Sequence, residues 1–385
     1  VRGVAGCLVF DAGGGGPARA VTGNSQGIAG HVWAPDGDAL IVSTQGSGTI
    51  YGIWRYPLEP GSKPQRISEG VGDAIDPTSA RRVNRIAWLS NVEDSNIYRI
   101  SLREEAAPLK LVASTRRDIF ANYASDGRIA FTSDRSGSWQ VWIASPDGSQ
   151  QQRATNLSRA NVGRPRWSPD TRYIAFERLE QRRIMVIKCE AGTANCEPPV
   201  PLTGARESDP WSEEFAWWSA DGAGVYFSSD RTGTGEIWKQ SWPPVSPAVQ
   251  ITQHGGSWPV ESPDGRWLYY TKTGIDAIWR LPIANENSGA SSSEQIVFGP
   301  LEGLFQNGWI LTRDELFFVL RNPNAPTSDI RAYGLRTGKL RNVATRIPVE
   351  IPLDITELSV SPDGRWITYW QIDRSGSNIM VADSR

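Results

Sequence analysis

Apolar and polar residues along this chain alternate in short runs, and the runs come in sets of four with a turn between each pair. In one set, Trp217-Trp218-Ser219 ends an inner strand and Ala220-Asp221-Gly222 reverses it. Gly224-Val225-Tyr226-Phe227-Ser228-Ser229, rich in β-branched and aromatic residues, is the second strand. Asp230-Arg231-Thr232-Gly233 turns again, Glu236-Ile237-Trp238-Lys239 is the third strand and Val249-Gln250-Ile251-Thr252 the fourth. The third strand recurs as Ile53-Trp54-Arg55, Ile97-Tyr98-Arg99, Val141-Trp142-Ile143, Ile278-Trp279-Arg280 and Asn378-Ile379-Met380.

The first turn of each set recurs as well, around Asp36, Asp126, Asp170, Asp221, Asp264 and Asp363, with weaker copies at Arg82 and Asp314. Asp bonds its own backbone in such a turn, Pro presets φ, and Gly accepts a positive φ. Successive spacings are 46, 44, 44, 51, 43, 50 and 49 residues, the period of four-stranded propeller blades. The expectation is an all-β fold, an eight-bladed β-propeller of four-stranded antiparallel blades forming a single domain over residues 1–385. Residues 1–24 close the ring, with Ala18–Thr22 as the N-terminal strand completing the C-terminal blade after Met380-Val381-Ala382; closure removes an exposed sheet edge. Cys7-Leu8-Val9-Phe10-Asp11 also reads as a third strand, either as an extra outer strand or in place of the C-terminal one. The seventeen Trp are explained first as packing between twisted blades. Asn285–Glu294 reads as a long loop.

Several segments resemble a known family. Phe131-Thr132-Ser133-Asp134-Arg135-Ser136-Gly137, Tyr226 to Gly233 with Glu236-Ile237-Trp238-Lys239, and Ser262-Pro263-Asp264-Gly265-Arg266-Trp267 are similar to the WD-like repeats of TolB-type propellers. The ending Ser359 to Trp366 with Asp373 to Met380 resembles the C-terminal propellers that soil bacteria attach to winged-helix transcriptional regulators or Ser/Thr kinases. That resemblance implies a sensor or interaction module whose output domain is absent here or was cut away. It specifies a fold and says little about function.

Composition narrows the partners. Forty basic and 42 acidic residues are mixed throughout for a formal charge of −2, so no basic stripe suits nucleic acid and no direct contact with it is expected. No apolar run is long enough to span a membrane. The chain opens on Val1 without a basic and apolar leader, so a signal peptide, an anchor or a whole domain is expected to have been removed. Cys189 and Cys196 bracket a short hairpin loop and are candidates for a disulfide, which favours an extracytoplasmic, periplasmic setting; paired reduced thiols in a cytosolic protein are the alternative. His31 and His254 are the only histidines, and neither stands at ligand spacing from the cysteines, so no metal and no cofactor are expected.

Histidine poverty also limits catalysis. Gly23-Asn24-Ser25-Gln26-Gly27 matches G-x-S-x-G but leads into a strand, not the helix a nucleophile elbow needs. Asp209, Glu213, Glu214 and Glu261 stand near inner strands, where propeller glycosidases place paired carboxylates, and they read as solvated loop residues. No catalytic residue is assigned. The Asp134-Arg135, Asp230-Arg231 and Asp373-Arg374 turns read as structural caps. The candidate recognition patch is Arg206, Asp209, Trp211, Glu213 and Glu214 on one blade connection with His254 and Trp258 on the next, because it mixes aromatic area and charge as interface hot spots do. The leading reading is a non-catalytic propeller that binds a protein or peptide, with a small ligand in the channel also possible. The alternatives are the regulatory propeller of a prolyl-oligopeptidase-like hydrolase and a carbohydrate-active propeller enzyme.

Overall fold

The computed structural model describes residues 7–9, 18–22, 27–45, 51–68, 73–80, 82–104, 106–157, 160–283, 294–322, 324–325, 327–348 and 357–383. The G-x-S-x-G serine and most of the 285–294 loop lie outside the described residues. Every named element is a β-strand. β1 (Leu8–Val9) pairs with β2 (Arg19–Ala20), and β3 (Ile28–Trp33), β4 (Ala39–Thr44), β5 (Gly52–Pro57) and β6 (Gln65–Arg66) form a four-stranded antiparallel blade. β7 (Asp73–Ser79), the long β8 (Arg85–Ser101) and β9 (Leu109–Val112) follow.

Five regular blades come next. They are β10 (Asp118–Tyr123) to β13 (Gln152–Arg153) through β11 (Ile129–Ser133) and β12 (Gln140–Ala144); and β14 (Val162–Trp167), β15 (Tyr173–Arg178), β16 (Arg183–Lys188), β17 (Val200–Pro201). Then come β18 (Glu213–Trp218), β19 (Gly224–Ser229), β20 (Glu236–Ser241), β21 (Val249–Gln250); and β22 (Ser257–Glu261), β23 (Trp267–Lys272), β24 (Ile275–Pro282), β25 (Gln295–Phe298). The fifth is β26 (Leu304–Leu311), β27 (Glu315–Arg321), β28 (Thr327–Gly334) and β29 (Leu340–Pro348). β30 (Ser359–Val360) and the 18-residue β31 (Trp366–Asp383) end the chain in a five-stranded sheet of order β30-β31-β8-β7, with β9 also on β8.

The fold is therefore an all-β propeller of antiparallel blades, and its eight sheets equal the eight repeats in number. Six repeats each own a four-stranded sheet; those at 82 and 363 share the five-stranded one, and β1–β2 is the eighth.

The recurring turn explains why each blade reverses where it does. Ser262 Oγ donates to Asp264 Oδ1 at 2.6 Å and accepts from Trp267 N–H at 3.0 Å, while Gly265 takes φ +69°. The same hydroxyl bridge stands at Ser219, Ser361 and Ser168. Thr171 occupies the glycine position of the last of these and takes φ +60° itself, a conformation with a steric cost for a β-branched residue. Second strands then run through the middle of each blade, so their apolar residues are buried on both faces: Ile41, Phe131, Phe176, Phe227 and Tyr270 have no exposed area. Each such side chain contributes about 1.5–3 kcal/mol of apolar burial.

The chain divides into two compact units, the described parts of 1–94, 136–138 and 373–385, and of 95–135 and 139–372. In the larger unit the five regular blades are joined by a sixth made of β30, the first half of β31, the second half of β8, and β9. Ile97, Val112 and Trp370 of this composite blade share a core with Ile119, Phe120 and Phe131. Ile100, Ile367 and Tyr369 share another with Ile310, Phe317 and Ile330. The unit thus closes on itself, with both neighbours of the composite blade supplied.

In the smaller unit, β7, the first half of β8 and the second half of β31 make a sheet whose Ala74, Ile86 and Trp88 pack on Ala34, Ile41 and Ile53 of the β3–β6 blade. The expected closure differs from this. β2 does not complete the C-terminal blade; it pairs with β1, and Cys7, Val9 and Val21 pack against Leu40, Val42 and Tyr56. Of the expected strand at 7–11, Leu8–Val9 therefore form a strand in a separate two-stranded ladder, and residues 10 and 11 lie outside the described residues. The physical reason is length: β31 finds a long continuous partner in β8, whereas residues 18–22 offer only a short and largely exposed ladder.

Candidate functional site

The loop from Arg206 to Glu214, in the larger unit, is organised by a residue that no sequence motif marks. Arg183 at the start of β16 is 5% exposed, and its guanidinium donates to the carbonyls of Arg206 at 2.8 Å, Asp209 at 3.0 Å and Trp211 at 2.6 Å. A planar fork with five donors suits a cluster of carbonyls in a way that an ammonium does not. Asp209 Oδ2 accepts from Arg206 N–H at 2.7 Å, which closes the loop's first turn. The Trp211 ring is near two cations, 5.7 Å from the Arg183 guanidinium and 5.8 Å from that of Arg231. Arg206 remains exposed and Trp211 half-buried.

The loop's acidic residues are all engaged. Ser212 N–H and Oγ–H donate to Asp230 Oδ1 at 2.5 and 3.0 Å, and these bonds outweigh the upward push of burial to hold that carboxyl low. Glu213 is buried, paired with Arg231 at 2.8 Å and accepting from Thr203 Oγ1–H at 2.5 Å. Glu214 takes both arms of Arg182 at 2.5 and 2.9 Å, a bidentate pair that raises the Arg182 pKa. Glu261 accepts from Ala220 N–H at 3.1 Å and is raised by burial.

The two residues of the patch's second half differ in exposure. His254 is exposed, and beside it Gly255 N–H donates to the buried Glu236 at 3.0 Å. Trp258 is interior: it is 3% exposed, donates from Nε1 to Trp309 O at 3.3 Å and packs edge-on to Phe215 at 5.3 Å. The face that brings Arg206, Asp209, Trp211, Glu213 and Glu214 together does not offer the Trp258 ring, because an indole at the foot of an inner strand fills the wedge beneath it.

A second constellation lies on the inner strands. Phe120, Arg164, Phe215 and Trp258 take φ of 57°, 52°, 58° and 54° at matching bulges of β10, β14, β18 and β22. Four non-glycine residues in the left-handed region on successive blades are a costly repeat, about 1–3 kcal/mol each, held by their surroundings. The Arg164 guanidinium sits 5.0 Å from the Phe120 ring and 5.1 Å from that of Phe215, and Arg166 sits 5.1 Å from Trp217 and 5.4 Å from Trp258. Arg164 pairs with Glu177 at 2.9 Å and with Glu357 at 3.3 Å, and Arg166 pairs with Glu357 at 2.9 Å. Burial pushes Glu177 up, against the opposing charge of Arg164 and the 2.7 Å bond from Phe215 N–H. Arg164-Pro165-Arg166 stands plainly in the sequence; the bulges that aim it do not, because register shifts carry no composition signal.

Elsewhere in the larger unit, a cleft of about 1060 Å³ is lined by Tyr98, Arg103, Arg341, Val343 and Tyr369 among others. Cys189 and Cys196 are joined by a disulfide across their hairpin, Cα to Cα 4.0 Å, and Cys7 is free.

No protein-family model matches the chain. Among solved structures it is similar to TolB of Agrobacterium tumefaciens, at 16% identity and a TM-score of 0.56 over 73% of this chain and 99% of that one. It also resembles TolB of Acinetobacter baumannii (13%, TM-score 0.48, 75% and 66%) and a puromycin-hydrolyzing peptidase of Mycobacterium tuberculosis (14%, TM-score 0.44, 89% and 58%). An oligogalacturonate lyase in complex with manganese is similar at 13% identity, with a TM-score of 0.45 over 76% of this chain and 77% of that one. The fold and the first of these likenesses define the class: a β-propeller with a TolB-like architecture. At these identities the likeness extends to fold alone. No helix among the described residues is long and apolar enough to cross a membrane.

Proposed function

We propose that this chain is a non-catalytic binding propeller, the sensor or interaction module of a larger bacterial regulatory protein, and that the Arg206–Glu214 loop with the nearby His254 loop forms its recognition face. One observation carries the reading. The carboxylates of this loop that could have entered a catalytic pair are each tied to a local partner: Asp209 to a backbone N–H, Glu213 to Arg231 and Glu214 to Arg182. A glycosidase needs one carboxyl free to give a proton and one free to attack or activate water. What the loop offers outward is the Arg206 cation and part of the Trp211 ring, on a backbone pinned by Arg183, and rigid loops with such residues suit protein recognition. The Cys189–Cys196 bridge supports an oxidising, extracytoplasmic setting.

The test has two arms. The purified chain, offered oligosaccharide and peptidyl substrates, is expected to turn over none. Turnover abolished by Glu214→Gln or Glu213→Gln sinks the binding reading. Once the full open reading frame identifies the natural partner system, Arg206→Glu and Trp211→Ala are expected to weaken capture of that partner at least tenfold with little change in melting temperature.

A further inference from the structure

Four outer strands are gripped in one recurring way, and among the described residues one third strand has no such partner. In the β3–β6 blade, Ile67 N–H donates to Ile53 O at 2.8 Å and Ile53 N–H donates to Ser68 Oγ at 3.0 Å. Ala154 and Thr155 hold Val141 in the same manner, at 2.8 and 2.9 Å. Ile251 and Thr252 hold Ile237, at 2.8 and 2.9 Å, and Val21 and Thr22 hold Cys7, at 2.9 and 2.8 Å. An aliphatic residue followed by Ser or Thr thus exchanges two hydrogen bonds with a single third-strand residue. The hydroxyl does more in two of these places: Thr155 donates onward to Gln140 at 2.8 Å, and Thr252 to Glu236 at 2.6 Å, each the residue before the gripped one.

Within the five-stranded sheet, β7, the first half of β8 and the second half of β31 lie side by side, and among the described residues no strand pairs with the outer edge of β31 at Ile379–Val381. Ser377 Oγ donates to Asn91 Oδ1 at 2.7 Å and Arg85 reaches Asp383 at 3.1 Å, contacts that set Ile379 opposite Leu89. Leu89 lies across from Ile75, just before a bulge, as Thr132 lies across from Ile119; Val141 faces Thr132. Ile379 therefore stands where Ile53, Val141 and Ile237 stand. Those three have no exposed area, whereas Ile379 is 75% and Val381 59% exposed. Asn378 stands at the position of Gln140 and Glu236, an acceptor for a hydroxyl. No Lys or Pro guards the edge between Trp366 and Asp383, although such residues are the usual protection of an open strand.

We propose that the edge of β31 at Ile379-Met380-Val381 is a docking site for an extended peptide segment of a partner protein that adds an antiparallel fourth strand. The segment carries an aliphatic residue followed by Ser or Thr, with a basic residue toward its N-terminal side. Its aliphatic N–H donates to Ile379 O, and its hydroxyl accepts from Ile379 N–H and donates to Asn378. The basic preference follows from charge. Asp383 lies on this edge toward the docked strand's N-terminus, and two of the protein's own fourth strands carry Arg66 and Arg153 just before the aliphatic residue. Main-chain bonding supplies affinity in such strand addition, and alternate side chains supply selectivity.

The probe is a labelled synthetic peptide with the sequence of residues 149–157, titrated into the full chain by fluorescence anisotropy and carrying a photo-crosslinker for mapping. The expected result is saturable binding, crosslinks within 376–383, and about a tenfold loss on replacing the peptide threonine by valine or N-methylating its aliphatic residue. Ile379→Pro, which removes the edge N–H, abolishes binding; the peptide variants probe the same hydrogen bonds without touching the fold. Crosslinks elsewhere, equal binding by the N-methylated peptide, no saturable binding, or a dimer of the chain through β31 that excludes the peptide each overturn the proposal. Because the readout maps to β31, its failure leaves the Arg206–Glu214 reading standing, and the converse holds.

Discussion

Half-buried Arg231 and buried Glu213 form an ion pair, Nη2 to Oε1 2.8 Å, that ties the second turn of one blade to the foot of its inner strand. The same tie joins Arg135 to Asp118 at 2.6 Å two blades earlier, where burial raises the carboxyl against the pull of the guanidinium. The Asp-Arg turns at these two places are thus braces. Glu213→Ala leaves the half-buried Arg231 charge without its carboxylate, a loss of about 1–3 kcal/mol. Urea unfolding measures it, and adding Arg231→Met to Glu213→Ala is expected to recover part of the loss. A double variant as unstable as the sum of the two singles would show that the pair is not coupled.

Arg183→Lys keeps the charge and removes the fork. Three loop carbonyls then share one ammonium, and the Arg206–Trp211 segment is expected to lose about 1–3 kcal/mol of local stability with the rest of the blade intact. Amide hydrogen exchange should rise in 206–212 and not in β19 or β20. Uniform exchange across the blade would contradict the local role.

Thiol labelling of the unreduced native chain should modify Cys7 alone, slowly because burial raises its pKa, and denaturing reduction should expose all three cysteines. Closing a loop across seven positions constrains the unfolded chain by roughly 2.5 kcal/mol in the chain-entropy account. Cys189→Ser with Cys196→Ser is expected to lower stability by about that amount. Two labelled thiols or more before reduction would refute the bridge.

The turn aspartates give the acid limb its shape. Asp264 is lowered to about 2, first by the Ser262 hydroxyl and then by Arg266, and Asp221 and Asp363 are lowered chiefly by the hydroxyls of Ser219 and Ser361. Their folded carboxyls hold protons more weakly than unfolded ones at 3.8, so the stability they add is complete above about pH 3.8 and is lost as pH falls toward about 2. Asp264→Asn is expected to flatten this part of a melting-temperature profile between pH 2 and 5. A steeper acid limb in the variant would reverse the assigned sign.

The blades were legible because their signals are local. Ser-Pro-Asp-Gly builds its own turn through the serine hydroxyl, and Ile-Trp-Arg followed by a polar strand needs only its neighbours along the chain. Arg183 was not legible, since its acceptors are carbonyls at positions 206–211 that no side-chain pattern marks. Trp258 is a related case: an aromatic residue near charged ones in a blade connection reads as a patch residue, and the neighbouring Phe215 and Trp309 make it interior.

Asp134-Arg135-Ser136-Gly137 and Asp373-Arg374-Ser375-Gly376 carry the same four residues, and they divide what sequence and tertiary structure each decide. The first turns, with Gly137 at φ +90°; the second runs straight through as the middle of β31. Turn chemistry is a preference of about a kilocalorie per residue, and an extended strand that gains a long ladder with another outweighs it. The sequence by itself determined the repeat, its turns, its all-β character and the residues that fill each blade, because these rest on contacts between near neighbours. Only the tertiary structure decided which third strand joins which sheet, how the larger unit closes and which edge is left open, because those depend on pairing between residues nearly 300 positions apart.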